Sequence, residues 1–218
     1  MKTLLRPFLK RIGLLQRRRD RLRARRFRNE SNAALKAWES AGRPAPPPPI
    51  VKYERIIRHQ MRSGAKIFVE TGTWRGDSLF YLRKRFAELH SIEFMPELYT
   101  TNVKALRHLP NVFLYHGDSG ILLSALVRNI RLPCVFWLDG HYSGPGTGRS
   151  ESDTPILAEL DVLLVRNQER DTILIDDARL FTGNDGYPTM ESLRKLVASK
   201  RPQALFRVED DVIEIWDA

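Results

Sequence analysis

From residue 50 onward the chain alternates between helix-period segments and short runs that are apolar without interruption, an order that few folds accommodate. Residues 52–62 place Ile56, Ile57 and Met61 on one face of a helix that Gly64 stops. A strand follows over 66–70, and Asp77-Ser78 is the expected cap of a helix carrying Leu79, Phe80, Leu82 and Phe86. Strands over 89–94, 112–115, 134–138 and 172–175 then interleave with helices over 96–109, 121–130, 155–164 and 190–199, the third of which is capped by Thr154 with Pro155 at its first position. Residues 204–208 and 212–216 close as an antiparallel hairpin around Asp210-Asp211. Strands without polar alternation, each separated by a helix, belong to a parallel sheet covered on both faces. The expected architecture is therefore α/β, doubly wound, with seven strands, mostly parallel, ending in an antiparallel hairpin.

Charge separates the remainder of the chain from this body. The net charge of +10 is concentrated in residues 1–44, which carry +11, while the rest of the chain carries −1. Eight arginines fall within the twelve residues from Arg17 to Arg28, after a stripe of Leu5, Phe8, Leu9, Ile12 and Leu15 at helical spacing. A solvated arm, an amphipathic helix on an anionic membrane surface through residues 1–28, and a nucleic-acid contact are all compatible with this pattern. Nucleic acid is the least favoured, because no interleaved aromatics offer stacking to bases. The run Arg43-Pro44-Ala45-Pro46-Pro47-Pro48-Pro49 favours stiff polyproline II. It divides the chain into an arm (1–44), a linker (45–50) and a folded domain (51–218). The one cysteine, Cys134, excludes an intrachain disulfide and a cysteine-cluster zinc site. No apolar stretch approaches the ~18 residues of a membrane span. A cytoplasmic protein, peripheral on a membrane if the arm binds one, is expected.

In open parallel sheets ligands bind beyond the carboxyl ends of the strands, and here every one of those ends carries an acid. The first strand runs into Glu70-Thr71-Gly72-Thr73-Trp74-Arg75-Gly76, whose glycines permit a tight turn and close backbone approach by a ligand. Glu93 ends the second strand, 23 residues after Glu70, a separation suited to an acid on ribose hydroxyls. His116-Gly117-Asp118-Ser119 follows the third strand, where Asp118 is either an acceptor for an adenine amine or a helix cap. The fourth strand ends in Asp139-Gly140-His141 and the fifth in Asp176-Asp177. Helix capping alone does not call for an acid after every strand.

This ordered set resembles that of the class I S-adenosylmethionine-dependent methyltransferases, with their Rossmann-like fold, over roughly residues 50–218. Within that superfamily the chain looks most like the metal-dependent small-molecule O-methyltransferases of the catechol and macrocin-sugar types. The resemblance implies a cofactor bound by Glu70, Gly72, Thr73, Gly76, Glu93, Asp118 and Ser119. It also implies Mg²⁺ held by Asp139, Asp176 and Asp177, and hard oxygen ligands suit that ion. A small-molecule or sugar hydroxyl would be the acceptor, with Asp139 and His141 as catalytic residues. The catechol-type lysine base has no counterpart at its usual place, where Tyr142 stands, so His141 is the candidate base. The long loop from Ser143 to Asp153 is glycine-rich, as site-covering loops often are, and carries Arg149 as a candidate contact for an anionic substrate group. Two rivals stay open: a nucleic-acid methyltransferase using the arginine block, and a non-catalytic cofactor-binding module.

Overall fold

The computed structural model describes residues 2–140, 154–166 and 170–217, with side chains from residue 15 on except residue 17. Seven strands form one sheet: β1 (Ile67–Thr71), β2 (Glu88–Glu93), β3 (Val112–His116), β4 (Cys134–Leu138), β5 (Thr172–Ile175), β6 (Ala204–Glu209) and β7 (Val212–Asp217). Their spatial order is β3-β2-β1-β4-β5-β7-β6. The first five strands pair in parallel and β7 lies antiparallel between β5 and β6, as expected from the sequence.

The helices are α1 (Lys2–Ser40), α2 (Pro49–Ser63), α3 (Asp77–Leu82), α4 (Pro96–Leu106), α5 (Ser119–Val127), α6 (Ile156–Leu164) and α7 (Met190–Lys200). Strand periodicity divides the core into two layers. Val69, Phe136 and Ile173 pack on one face with Leu123, Leu160 and Leu193 of α5, α6 and α7. Phe68, Val135 and Leu174 pack on the other with Ile56 of α2 and Leu79 of α3. β3 and β6 are half exposed, because they are the two edge strands. Glu70, Asp139 and Asp176 follow the parity of the second face, so the α2 side of the sheet carries the acids.

Several boundaries differ from the sequence reading. Helix α2 begins at Pro49, inside the expected linker, since proline at a first helical position loses no hydrogen bond. Helix α3 stops at Leu82 and starts after Gly76 without a side-chain cap. The expected Asp77-Ser78 cap is not made: Asp77 pairs with Arg23 at 2.6 Å and Ser78 donates to Glu70 at 2.6 Å. Helix α6 begins one residue beyond Pro155, and Thr154 Oγ1 accepts from the Ile156 amide at 3.3 Å.

Helix α1 lies along the body. Phe27 stacks with Tyr53 (ring centroids 5.8 Å apart) and packs on Tyr81 (5.1 Å). The Arg23 guanidinium sits 4.3 Å over the Phe80 ring, and Asp20 meets His108 at 3.1 Å. A chain starting at residue 45 is expected to retain the α/β circular-dichroism signature. Losing the Phe27 contacts and the Arg23 pair should lower its melting temperature by about 5 °C or more. An unchanged melting temperature would mean that these contacts contribute nothing. Among the described residues no helix is long and apolar enough to cross a membrane.

Candidate active site

The carboxyl ends of β1, β2, β4 and β5 converge because these strands are neighbours in register: Thr71 stands beside Ile92 and Leu138, and Leu138 beside Ile175. The turn after β1 crosses the end of β4 in direct contact. Gly72 has φ +83°, and a Cβ there would lie 2.9 Å from the Asp139 carbonyl carbon, inside any real contact. Gly140 is less tightly confined: a Cβ there would fall 3.1 Å from the Thr71 side chain and 3.3 Å from the Ser119 hydroxyl. These glycines bring the β1 turn, the β4 end and the start of α5 together. Gly76, at φ +64°, lets the same turn enter α3 against Asn102 and Leu106.

Glu70 is buried at the centre of this edge. It accepts from Ser78 Oγ (2.6 Å) and Ser91 Oγ (2.8 Å), and Ser91 in turn shares a 2.6 Å hydrogen bond with Thr73 Oγ1. Burial pushes the Glu70 carboxyl up to about 8, against the two serine hydrogen bonds and with a further push from Glu93. Thr73 and Glu70 therefore belong to a buried hydroxyl–carboxyl chain beneath the turn, which rigidifies the glycine loop.

Glu93 is held differently. Its Oε2 accepts the Trp74 amide and its Oε1 the Met95 amide, both at 2.9 Å, and the residue is buried. Each carboxylate oxygen then keeps a second lone pair for another donor, such as a ribose hydroxyl. Trp74 adopts φ +51°, and its carbonyl accepts from Asn102 Nδ2 at 2.6 Å. Asp118 caps α5, Oδ1 accepting from the Gly120 amide at 2.8 Å, and Ser119 is buried at the first position of that helix. Asp118 thus makes the helix cap that one of its two readings expected.

At the β4 and β5 ends, Asp139 and Asp176 are both pushed up. For Asp139 the causes are burial, then the neighbouring Asp176 charge; for Asp176 burial leads, opposed by Lys52. Lys52, from the first turns of α2, forms an ion pair with Asp176 Oδ2. Burial lowers the Lys52 ammonium, but the charges of Asp176, Asp139 and Asp177 outweigh it and hold it above its usual value. Asp176 Oδ1 accepts the Asp177 amide at 2.9 Å, and Asp177 Oδ1 pairs with Arg179 at 2.7 Å. This arrangement does not fit the Mg²⁺ expected from the sequence. That ion needs an octahedron of oxygens at about 2.0–2.1 Å. Here the Asp176 charge is already answered by the Lys52 ammonium, and the Asp177 charge by the Arg179 guanidinium. Among the described residues no three His, Cys, Asp or Glu groups gather as a metal site. His141, Tyr142 and the loop carrying Arg149 lie outside the described residues.

Lys52, Ser78 and Ser91 are absent from the expected site. Only Lys52 left a sequence signal: it falls on the same helical stripe as the buried Ile56 and His59. A lysine leading an otherwise buried stripe calls for a buried counter-charge.

No protein-family model matches the chain, and no curated protein does. Solved structures do. SAH-bound methyltransferase PaMTH1 of Podospora anserina superposes with a TM-score of 0.52 at 16% identity, over 93% of this chain and 96% of its own. The O-methyltransferase of Bacillus cereus in complex with SAH gives 0.52 at 13%, over 86% and 90%. TomG of Streptomyces achromogenes, an O-methyltransferase of tomaymycin synthesis in complex with SAM, gives 0.52 at 14%, over 86% and 89%. At such identities the likeness concerns the fold. The chain has the fold of the class I S-adenosylmethionine-dependent methyltransferases: a Rossmann-like α/β sheet whose final strands form an antiparallel pair.

Proposed function

We propose that the protein is an S-adenosylmethionine-dependent O-methyltransferase acting on a small-molecule or sugar hydroxyl. The observation that carries this reading is the doubly anchored Glu93 carboxylate beside the Gly72–Gly76 turn, in a fold otherwise found in methyltransferases bound to SAM or SAH. In this reading Glu93 accepts from the ribose hydroxyls. The Gly72 turn, with Thr73 beneath it and Gly76 ending it, lies along the amino-acid part, braced by Glu70. Asp118 and Ser119 border the base.

When bound, the cofactor supplies an electrophilic methyl on a sulfonium. Asp139 would orient the acceptor hydroxyl, and His141 would take the proton that the hydroxyl gives up as it accepts the methyl. Magnesium assistance, implied by the sequence resemblance, has no part in this reading. The domain limits 1–44, 45–50 and 51–218 remain our division of the chain by composition. An anionic membrane surface is the proposed partner of the arm, supported by the solvent-facing side chains of Arg18, Arg19, Arg21, Arg25, Arg26 and Arg28 on α1.

The test is transfer of a labelled methyl group from S-adenosylmethionine to a panel of catechols, hydroxylated aromatics and sugars, run beside RNA and DNA. Label in a small hydroxyl compound is the expected result. Label in nucleic acid alone would favour the rival methyltransferase, and cofactor binding without transfer to any class would favour the binding module.

A further inference from the structure

Three carboxylates at one sheet edge need a balancing cation, and the chain carries one of its own there. Lys52 reaches Asp176 from α2 with its side chain only 17% exposed, while the Asp176 side chain is 1% exposed. The helix that delivers it is fixed. Three residues on, Arg55 is buried and donates to Glu209 (2.8 Å), Asp210 (2.7 Å) and Glu214. One further turn along, His59 meets Glu214 at 2.9 Å. The Lys52 head is therefore held by a helix stapled to the β6–β7 hairpin rather than by a loop. The groups facing it are Asp176, Asp139 and Asp177, and Asp177 is paired with Arg179 at 2.7 Å.

We infer that Lys52 is the resident cation of this site, standing where related folds expect a divalent metal, so that the acceptor oxygen meets an ammonium rather than a metal ion. The inference rests on the methyltransferase reading only for the acceptor; the charge arrangement stands without it. An ammonium at Asp176 does two things. It offers hydrogen-bond donors and a fixed positive charge to an oxygen losing its proton. It also excludes a second cation by repulsion, standing beside the Asp176 oxygen that a metal would approach. Lys52 is thus a positioning and electrostatic residue whose removal should leave an uncompensated negative charge at Asp176 and Asp139 that draws a divalent cation.

The experiment titrates the full chain with Mn²⁺ by electron paramagnetic resonance, comparing wild type with Lys52→Ala, Lys52→Gln, Lys52→Arg and the double variant Lys52→Ala/Asp176→Asn. Expected is Mn²⁺ binding about tenfold or more tighter in Lys52→Ala and Lys52→Gln than in wild type or Lys52→Arg, and its loss in the double variant. Lys52→Gln retains bulk and hydrogen bonding, and serves if Lys52→Ala does not fold. Wild type binding Mn²⁺ as tightly as the neutral variants would overturn the inference, as would binding in Lys52→Ala that survives in the double variant. Calorimetric titration of the same proteins with S-adenosylhomocysteine reads the cofactor site separately, so failure of the methyltransferase reading is not mistaken for failure of this one.

Discussion

Replacing Glu214 by leucine is expected to destabilise the fold by about 3–5 kcal/mol, the range found when one member of a buried ion pair is removed. Glu214 lies in β7 opposite Leu174, fully buried, and gathers three cationic or titratable partners: Arg55, His59 at 2.9 Å and Arg207 at 2.6 Å. Burial would raise its carboxyl, but hydrogen bonds from His59, Arg207 and Arg55 prevail and hold it down at about 2. The pH dependence follows from the sign. A carboxyl with a lowered folded value contributes its full stabilisation above its ordinary value near 4.5 and loses it as pH falls toward about 2. The wild-type advantage over Glu214→Leu in urea should therefore be constant from pH 5 to 7 and shrink below about pH 4. Arg55 keeps Glu209 and Asp210 as partners, which sets the expected loss toward the lower end of the range. A variant within 1 kcal/mol of wild type at pH 7 would mean that α2 is not stapled to the hairpin through this residue; 1 kcal/mol is about the ceiling for an exposed pair.

The second large effect concerns ligand affinity. Glu93→Ala is expected to weaken S-adenosylhomocysteine binding by about tenfold for each ribose hydrogen bond lost, since bonds to a charged acceptor contribute about 1.5–3 kcal/mol. The same substitution leaves the Trp74 and Met95 amides without their carboxylate, so the glycine turn loosens as well. A melting curve on each protein keeps the two effects apart. Unchanged affinity in a folded Glu93→Ala variant would remove Glu93 from the cofactor site.

The sheet was legible because its information is local. Short uninterrupted runs rich in β-branched and aromatic residues, such as Cys134–Leu138, suit buried central strands, and helices between them favour parallel pairing. The acids after each strand could be read for the same reason, as topology alone brings those ends to one edge. What each acid does once there was not legible. Asp77 and Ser78 look like a cap in sequence, but their side chains are claimed by Arg23 and Glu70, which lie 54 and 8 residues away. The three aspartates look like metal ligands until α2 is folded over them. Lys52 lies 124 residues from Asp176, and no periodicity or spacing encodes that contact. Helix α1 poses the same problem, since a charge census sees an arm where Phe27 in fact packs against Tyr53 and Tyr81, which also touch each other.

The central claim is that this sheet edge binds S-adenosylmethionine or its demethylated product, and calorimetric titration of the full chain with S-adenosylhomocysteine tests it most directly. The account predicts saturable binding at one site per chain, unaffected by excess EDTA and weakened by Glu93→Ala. Absence of heat and of any thermal stabilisation at millimolar ligand, from a chain that melts cooperatively, would contradict it.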